Sequence, residues 1–264
     1  MPEMILSGLK EGVVATAIDK KIIAIECLNP RKFTTDAHHT VDDRPFGGGD
    51  GMIMMAEPID QSIAYFEAKS KADEIIYLSA RGEVLTDAVA IDLSQKKRLT
   101  LICGRYGGVD QRVILKNKVR EISIGDYILS GGELAALVLI DTVSRHLPGV
   151  LGNEVSSLSD SFADGLLEAP SFTRSRDWGA IEIPAVLLGG DHKKIKEWKD
   201  ALSILSTLQN REDLFHKKDL ALKTLEATLA LFDRMSAPER EVSGLVDFHH
   251  ISKILNDAIA RKRS

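Results

Sequence analysis

The sequence predicts an α/β domain with a largely parallel sheet, followed by a small, mostly helical domain. Three observations carry this. Short apolar runs alternate with amphipathic helical patterns over the first half of the chain, the spacing of repeated β–α units. Glycines cluster where two of those runs end, over residues 104–108 and 125–132. Beyond them a polar stretch without periodicity separates the β–α units from a region with helical patterns alone. A chain of 264 residues with 44% hydrophobic and 28% charged side chains can bury two cores.

Taken in order, residues 10–21 place Val13, Val14, Ala17 and Ile18 at helical spacing. Residues 22–28 read as a strand ended by Asn29-Pro30. From residue 34 to 52 periodicity gives way to a polar, glycine-rich loop, TTDAHHTVDDRPFGGGDGM, and a loop this long in a compact domain is usually functional or mobile. Residues 57–71 return to a helix, 74–79 (EIIYLS) to a strand, Arg81-Gly82 to a turn, and 86–95 to a helix capped by Thr86. LTLIC (99–103) is a buried strand, 109–117 a short helix and 119–124 a strand. The last opens EISIGDYILSGGELAALVLIDTVSRHLPGVLGN (121–153), in which a strand breaks into a glycine-rich loop and re-forms as an apolar helix. That helix is expected to end at Leu147-Pro148-Gly149. Further helices are expected over residues 192–210, 218–234 and 247–261.

Ligands of parallel sheets bind outside the carboxyl ends of the strands. The stretches Leu78-Ser79-Ala80, 104–108 and 125–132 are therefore expected to converge on one pocket. Apolar residues surround most of the 133–147 helix, so a second layer or a second subunit should cover its outer side. Arg145, embedded there four residues beyond Asp141, reads either as an i,i+4 ion pair or as a cation with an assigned task.

Several function classes are disfavoured. GGGDG (47–51) lacks the order of a nucleotide-binding P-loop, and no G-x-G-x-x-G follows a strand. Cys27 and Cys103 have no CxxC spacing and read as buried, reduced thiols. The seven histidines show no zinc spacing, and Asp42-Asp43 reads more simply as solvated than as a metal pair. Neither a signal peptide nor a membrane span is recognisable, so a cytoplasmic protein is expected. A net charge of −5 argues against indiscriminate nucleic-acid coating but permits a local basic surface. Arg174, Arg176, Lys193, Lys194, Lys196 and Lys199 crowd the start of the helical region, Arg261-Lys262-Arg263 closes it, and Trp178 and Trp198 lie among the first group, able to pack or to stack on bases.

HHTVDDRPFGGGDGM, LICGRYGGVDQRV, SIGDYILSGGEL, IDTVSRHLPGVLGN, DSFADGLLEAPSFTR and EIPAVLLGGDHKKIKEWK run in order along most of the chain. Together they resemble the bacterial tRNA (guanine-N1) methyltransferases of the SPOUT superfamily. The resemblance implies a SPOUT-type parallel sheet with a C-terminal trefoil knot over residues 1–153, an inter-domain linker over 154–170 and a helical tRNA-binding domain over 171–264. It implies a homodimer with shared active sites, acting on tRNA and on neither DNA nor membrane. S-adenosyl-L-methionine is the implied methyl donor, bound by Leu78, Gly104, Tyr106, Gly108, Ile124, Gly125, Asp126, Tyr127, Ile128, Leu129, Gly131 and Gly132. The implied target is N1 of guanosine 37, just 3′ of the anticodon. Asp160 matches the general base, Arg145 its partnering arginine, and Ser161 a residue that could orient the guanine. A dependence on Mg2+ is also implied, with no ligands assignable.

The sequence departs from the family pattern at several points. Gly107 replaces a glutamate, Gln111 another, Ala80 and Ala135 stand where prolines are usual, and Pro170-Ser171-Phe172 replaces Pro-His-Tyr. Family chains open with a strand running into Phe-Pro-Glu-Met, whereas this sequence opens at Pro2-Glu3-Met4, so the natural start is expected upstream. A knotted methyltransferase acting on another RNA, and an RNA-binding homologue with impaired catalysis, are the alternatives.

Overall fold

The computed structural model describes residues 1–152, 160–179 and 181–263. Asn153 and the first part of the expected linker, residues 154–159, lie outside the described residues. The chain divides into two compact units, Met1–Glu154 and Val155–Ser264.

The first unit opens with α1 (Pro2–Gly8) and α2 (Gly12–Asp19). Pro2 occupies the first turn, where a missing N–H costs nothing. The strand expected over residues 22–28 does not form. The Ile22 and Ile23 N–H groups instead close onto the Ala17 carbonyl at 2.9 and 3.4 Å, and the sheet offers this segment no ladder. Apolar alternation alone does not make a strand; a hydrogen-bonding edge must be within reach. Cys27, on that segment, is half-buried rather than buried, as is Cys103. Burial still pushes the Cys103 thiol up to about 12 and raises Cys27, which keeps both protonated and unreactive.

A two-residue hairpin, β1 (Asp42–Asp43) with β2 (Ile53–Met54), precedes α3 (Ala56–Lys69). Then come β3 (Glu74–Val84), α4 (Asp87–Ser94), β4 (Leu99–Ile102), α5 (Gln111–Lys116), β5 (Arg120–Ser123) and α6 (Glu133–Ser144). Thr86 caps α4 as expected, its hydroxyl accepting from the Val89 N–H. The sheet is parallel, in the order β4-β3-β5. Successive strand residues face opposite sides. Ile76 and Leu78 pack with Ala90, Leu93, Leu139 and Val143 on one side. Tyr77 packs with Ile59, Ile63, Val113 and Ile114 on the other. Both faces of the sheet are therefore covered by helices, the usual condition of a parallel sheet.

Arg81-Gly82 is not the turn that ends β3. Ile122 of β5 pairs with both Leu78 and Glu83, so residues 79–82 are pushed out of the ladder while the strand resumes beyond them. Gly82 makes this possible, because a Cβ there would lie 2.3 Å from the backbone of Glu121 and Ile122. At the other end of the unit, α6 stops at Ser144, earlier than the expected Leu147. Its last turn tightens through His146 N–H to Val143 O (3.2 Å) and Leu147 N–H to Ser144 O (3.1 Å).

In the second unit, residues 160–168 are already tied to its core. The Leu167 N–H donates to Thr207 Oγ1 at 2.8 Å, the Ser203 hydroxyl donates to the Leu167 carbonyl, and Leu166 is buried. A hairpin, β6 (Asp177–Trp178) with β7 (Ile181–Glu182), and a 3-10 turn (Ala185–Leu188) lead to α7 (His192–Asn210). Asp191 caps α7, accepting from the N–H groups of Lys193 and Lys194. Then follow α8 (Glu212–Lys217), α9 (Leu222–Arg234), α10 (Ala237–Val242) and α11 (Phe248–Arg263). Trp198, Leu202, Leu205 and Leu208 form one stripe of α7, meeting Phe232, Ile251 and Leu255. Among the described residues no helix is long and apolar enough to cross a membrane.

Gly82→Ala should destabilise the first unit by about 3 kcal/mol, since the added methyl meets backbone that cannot yield. Urea unfolding followed by circular dichroism checks this; an unchanged midpoint would show that the ladder tolerates displacement here.

Candidate active site

The carboxyl ends of β3, β4 and β5 open onto one cavity of about 1110 Å3. Each strand contributes the segment that follows it. From β3 come Leu78 and the displaced Ser79, Ala80 and Arg81; from β4, Gly104 to Arg112; from β5, Ile124, Gly125 and Tyr127 to Gly132. The β1–β2 hairpin supplies a further wall with Asp43, Arg44, Pro45, Phe46, Ile53 and Met54.

Close backbone contacts hold these segments in place. The Gly132 N–H donates to the Gly104 carbonyl at 2.8 Å, and Arg105 and Gly131 form an antiparallel bridge. A Cβ on Gly132 would stand 2.9 Å from Cys103 Cα, so only glycine allows α6 to start so near β4. The hairpin docks in the same manner. Gly107 N–H donates to Met52 O (2.8 Å), Met54 N–H to Gly108 O (2.9 Å) and Asp110 N–H to Met54 O (3.0 Å). A Cβ on Gly107 would meet Met52 O at 3.0 Å, so a side chain there would require the hairpin to give by a few tenths of an ångström. The walls are thus mostly backbone and small or apolar side chains, with Leu78, Ile124, Leu129 and Ala135 among them.

One ion pair anchors the β4 loop to α6. Arg105 Nε donates to Glu133 Oε1 at 2.9 Å. The Glu133 side chain is only 2% exposed. Burial alone would raise its carboxyl, but the hydrogen bonds it accepts, that from Arg105 among them, outweigh it and hold the group below the ordinary carboxylate range. Elsewhere on the wall, Arg112 is committed to Asp110 through paired hydrogen bonds of 2.6–3.2 Å. Arg81 Nη1 donates to the Gln111 side chain at 3.4 Å.

Of the residues expected at the cofactor site, Leu78, Gly104, Tyr106, Gly108, Ile124, Gly125, Tyr127, Ile128, Leu129, Gly131 and Gly132 line this cavity and Asp126 does not. Sequence reasoning missed Tyr77, Arg81, the hairpin wall and Glu133. The available signal for Glu133 was an acid on the buried side of an apolar helix. Arg145 caps α6 and is exposed, on the stripe that also carries Leu134, Val138 and Asp141. Asp160 and Ser161 belong to the second unit; there the Ser161 hydroxyl oxygen accepts from the Glu168 N–H at 3.0 Å, within a turn closed by Ala163 N–H to Asp160 O. Among the described residues no three His, Cys, Asp or Glu side chains gather to hold a metal ion, and Gly107 and Gln111 offer no carboxylate, so no magnesium ligand is assigned.

Residues 1–217 match the family described as tRNA (Guanine-1)-methyltransferase TrmD. The chain belongs to this family. It is 44% identical to the tRNA (guanine-N(1)-)-methyltransferase of Shewanella amazonensis, over 90% of this chain and 96% of that one. It is 46% identical to the protein of the same name from Sodalis glossinidius, over 86% and 90% of the two chains. Against that of Carboxydothermus hydrogenoformans the identity is 49%, over 83% and 86%. The matched residues include every segment of the cavity wall and extend through α7 into α8.

A carboxylate with a depressed folded pKa adds stability above its unfolded value of roughly 4.3 and loses it as pH falls through the folded one. Glu133→Gln should therefore lower the stability of the first unit at neutral pH by roughly 1–3 kcal/mol. The gap between wild type and variant should close as the solution is acidified through the carboxylate range. Urea midpoints across that range test this; a gap that persists in acid would assign the loss to packing instead.

Proposed function

We propose that the protein methylates N1 of the guanosine just 3′ of the anticodon in tRNA, with S-adenosyl-L-methionine as methyl donor. The observation that carries the reading is the glycine-lined cavity at three parallel strand ends, in a chain whose relatives are named tRNA (guanine-N(1)-)-methyltransferases. A sulfonium nucleoside suits such walls. Backbone N–H and C=O groups of the 104–108 and 124–132 loops can meet an adenine edge, and Leu78, Ile124 and Leu129 can cover its faces. The cofactor supplies an activated methyl group; the protein must align the acceptor and manage its proton.

Guanine N1 carries a proton that has to leave as the methyl arrives. In this reading Asp160 accepts it as general base, within hydrogen-bond reach of N1–H. The Arg145 guanidinium stabilises the negative charge that spreads to O6, and the Ser161 hydroxyl orients the base. A homodimer would bring these groups to the cavity. Leu134 and Val138 support it, since they leave an apolar stripe of α6 open to solvent beside Arg145. A trefoil knot is part of the same reading, supported by the tight Gly104–Gly132 contact that a threaded chain would require.

The test is methyl transfer from labelled S-adenosyl-L-methionine to unmodified tRNA, with the modified position mapped by primer extension. Asp160→Ala should slow transfer by about 100-fold or more while cofactor affinity stays near wild type. Full activity in that variant would remove Asp160 from the chemistry. Tight tRNA binding by the wild type with no transfer would instead favour the impaired homologue.

A further inference from the structure

The two tryptophans of the chain have opposite fates. Trp198 is 2% exposed and lies in the core beneath α7. Trp178 is 81% exposed on β6, and Ile181, its cross-strand partner on β7, is 53% exposed. An indole held this open on a hairpin adds nothing to the core of its own unit. It does present a rigid, flat apolar face whose position the strand pairing sets.

The charge around the hairpin narrows what that face can meet. The lysines of α7 are largely matched by neighbouring acids: Lys193 faces Glu197, Lys194 faces Asp191 and Lys196 faces Asp200. Near the C-terminus Lys262 pairs with Asp219 and Arg263 with Glu226. Arg174 and Arg176 are exposed and pair with no described carboxylate. The Ile183 N–H donates to the Arg176 carbonyl at 3.2 Å, which extends the antiparallel register by one step. Strand alternation then places Arg176 on the same face as Trp178 and Ile181. A flat aromatic surface that shares its face with Arg176, a guanidinium paired with no described carboxylate, matches a nucleotide, with the base on the indole and a phosphate on the arginine. One tryptophan and one isoleucine fall far short of the area that a stable protein–protein contact needs, roughly 1,200 Å2 or more.

We propose that the β6–β7 hairpin is a stacking platform for an unpaired base of the tRNA, separate from the guanosine that is methylated. The assignment rests on the reading of the protein as a tRNA methyltransferase. It gives the helical unit a defined RNA contact, in place of a diffuse basic surface.

The experiment uses the full-length protein and an unmodified tRNA transcript. Binding should quench the emission of Trp178 and leave that of buried Trp198 unchanged, so Trp178→Phe should remove the quench. Trp178→Ala should weaken tRNA binding by roughly 5- to 100-fold, with Trp178→Phe recovering most of the loss. Affinity for S-adenosyl-L-methionine should not move in either variant. Arg176→Gln should lower the slope of log Kd against log salt by about one. Wild-type binding with no quench, or with unchanged affinity in Trp178→Ala, overturns the platform alone. So does a changed sedimentation coefficient for Trp178→Ala without RNA, which would make the hairpin a contact between copies. A wild type that does not bind tRNA overturns the tRNA reading and the platform with it.

Discussion

The cavity depends on how closely the loop after β4 can approach the start of α6. At Gly132 the two backbones come so near that no side chain fits between them, and the Gly132 N–H closes on the Gly104 carbonyl. The walls that follow β4 and precede α6 are hung from that contact. The Arg105–Gly131 bridge extends it, the Arg105–Glu133 ion pair fixes it from the buried side, and the β1–β2 hairpin docks onto the loop it holds. Where glycines bring chains together, few side chains fill the space between them, so main-chain polar groups join the charged side chains of the wall in facing a ligand.

Electrostatics follow from the same construction. A carboxylate as deeply buried as Glu133 would be expensive alone, and the Arg105 guanidinium that reaches it from the β4 loop offsets that cost. The wall cations differ in how far they are committed. Arg112 is held by Asp110 and Arg105 by Glu133, whereas Arg81 donates to an amide, Gln111. Gly107 and Gln111, in the loop after β4, add no negative charge to this wall. In the second unit three lysines of α7 are matched by acids one turn away, whereas Arg174 and Arg176 before its hairpin pair with no described carboxylate.

Much of the fold was legible because local rules and tertiary structure agreed. Thr86 caps α4, β3, β4 and β5 form the parallel sheet, and α7 runs over the residues that its apolar stripe indicated. Periodicity reported the helices with continuous faces and the short α5, but it missed α1, α8 and α10 and the two-residue strands β6 and β7, where too few residues repeat to make a pattern. It also misread residues 22–28. Their alternation is that of a strand, yet strand formation is decided by whether a neighbouring edge is free to pair, and nothing in a single segment encodes that.

By itself the sequence determined which residues are glycine at strand ends, which stripes are apolar, and that the motifs follow one family's order; these are local properties, written in side-chain size and spacing. Tertiary structure decided the rest, because it depends on what lies opposite. Arg81 lines the cavity because residues 79–82 are displaced from a ladder that resumes beyond them. Glu133 is an anchor because Arg105 reaches it from another loop. Of two tryptophans in equally polar surroundings, only Trp198 met a core, leaving Trp178 in solvent.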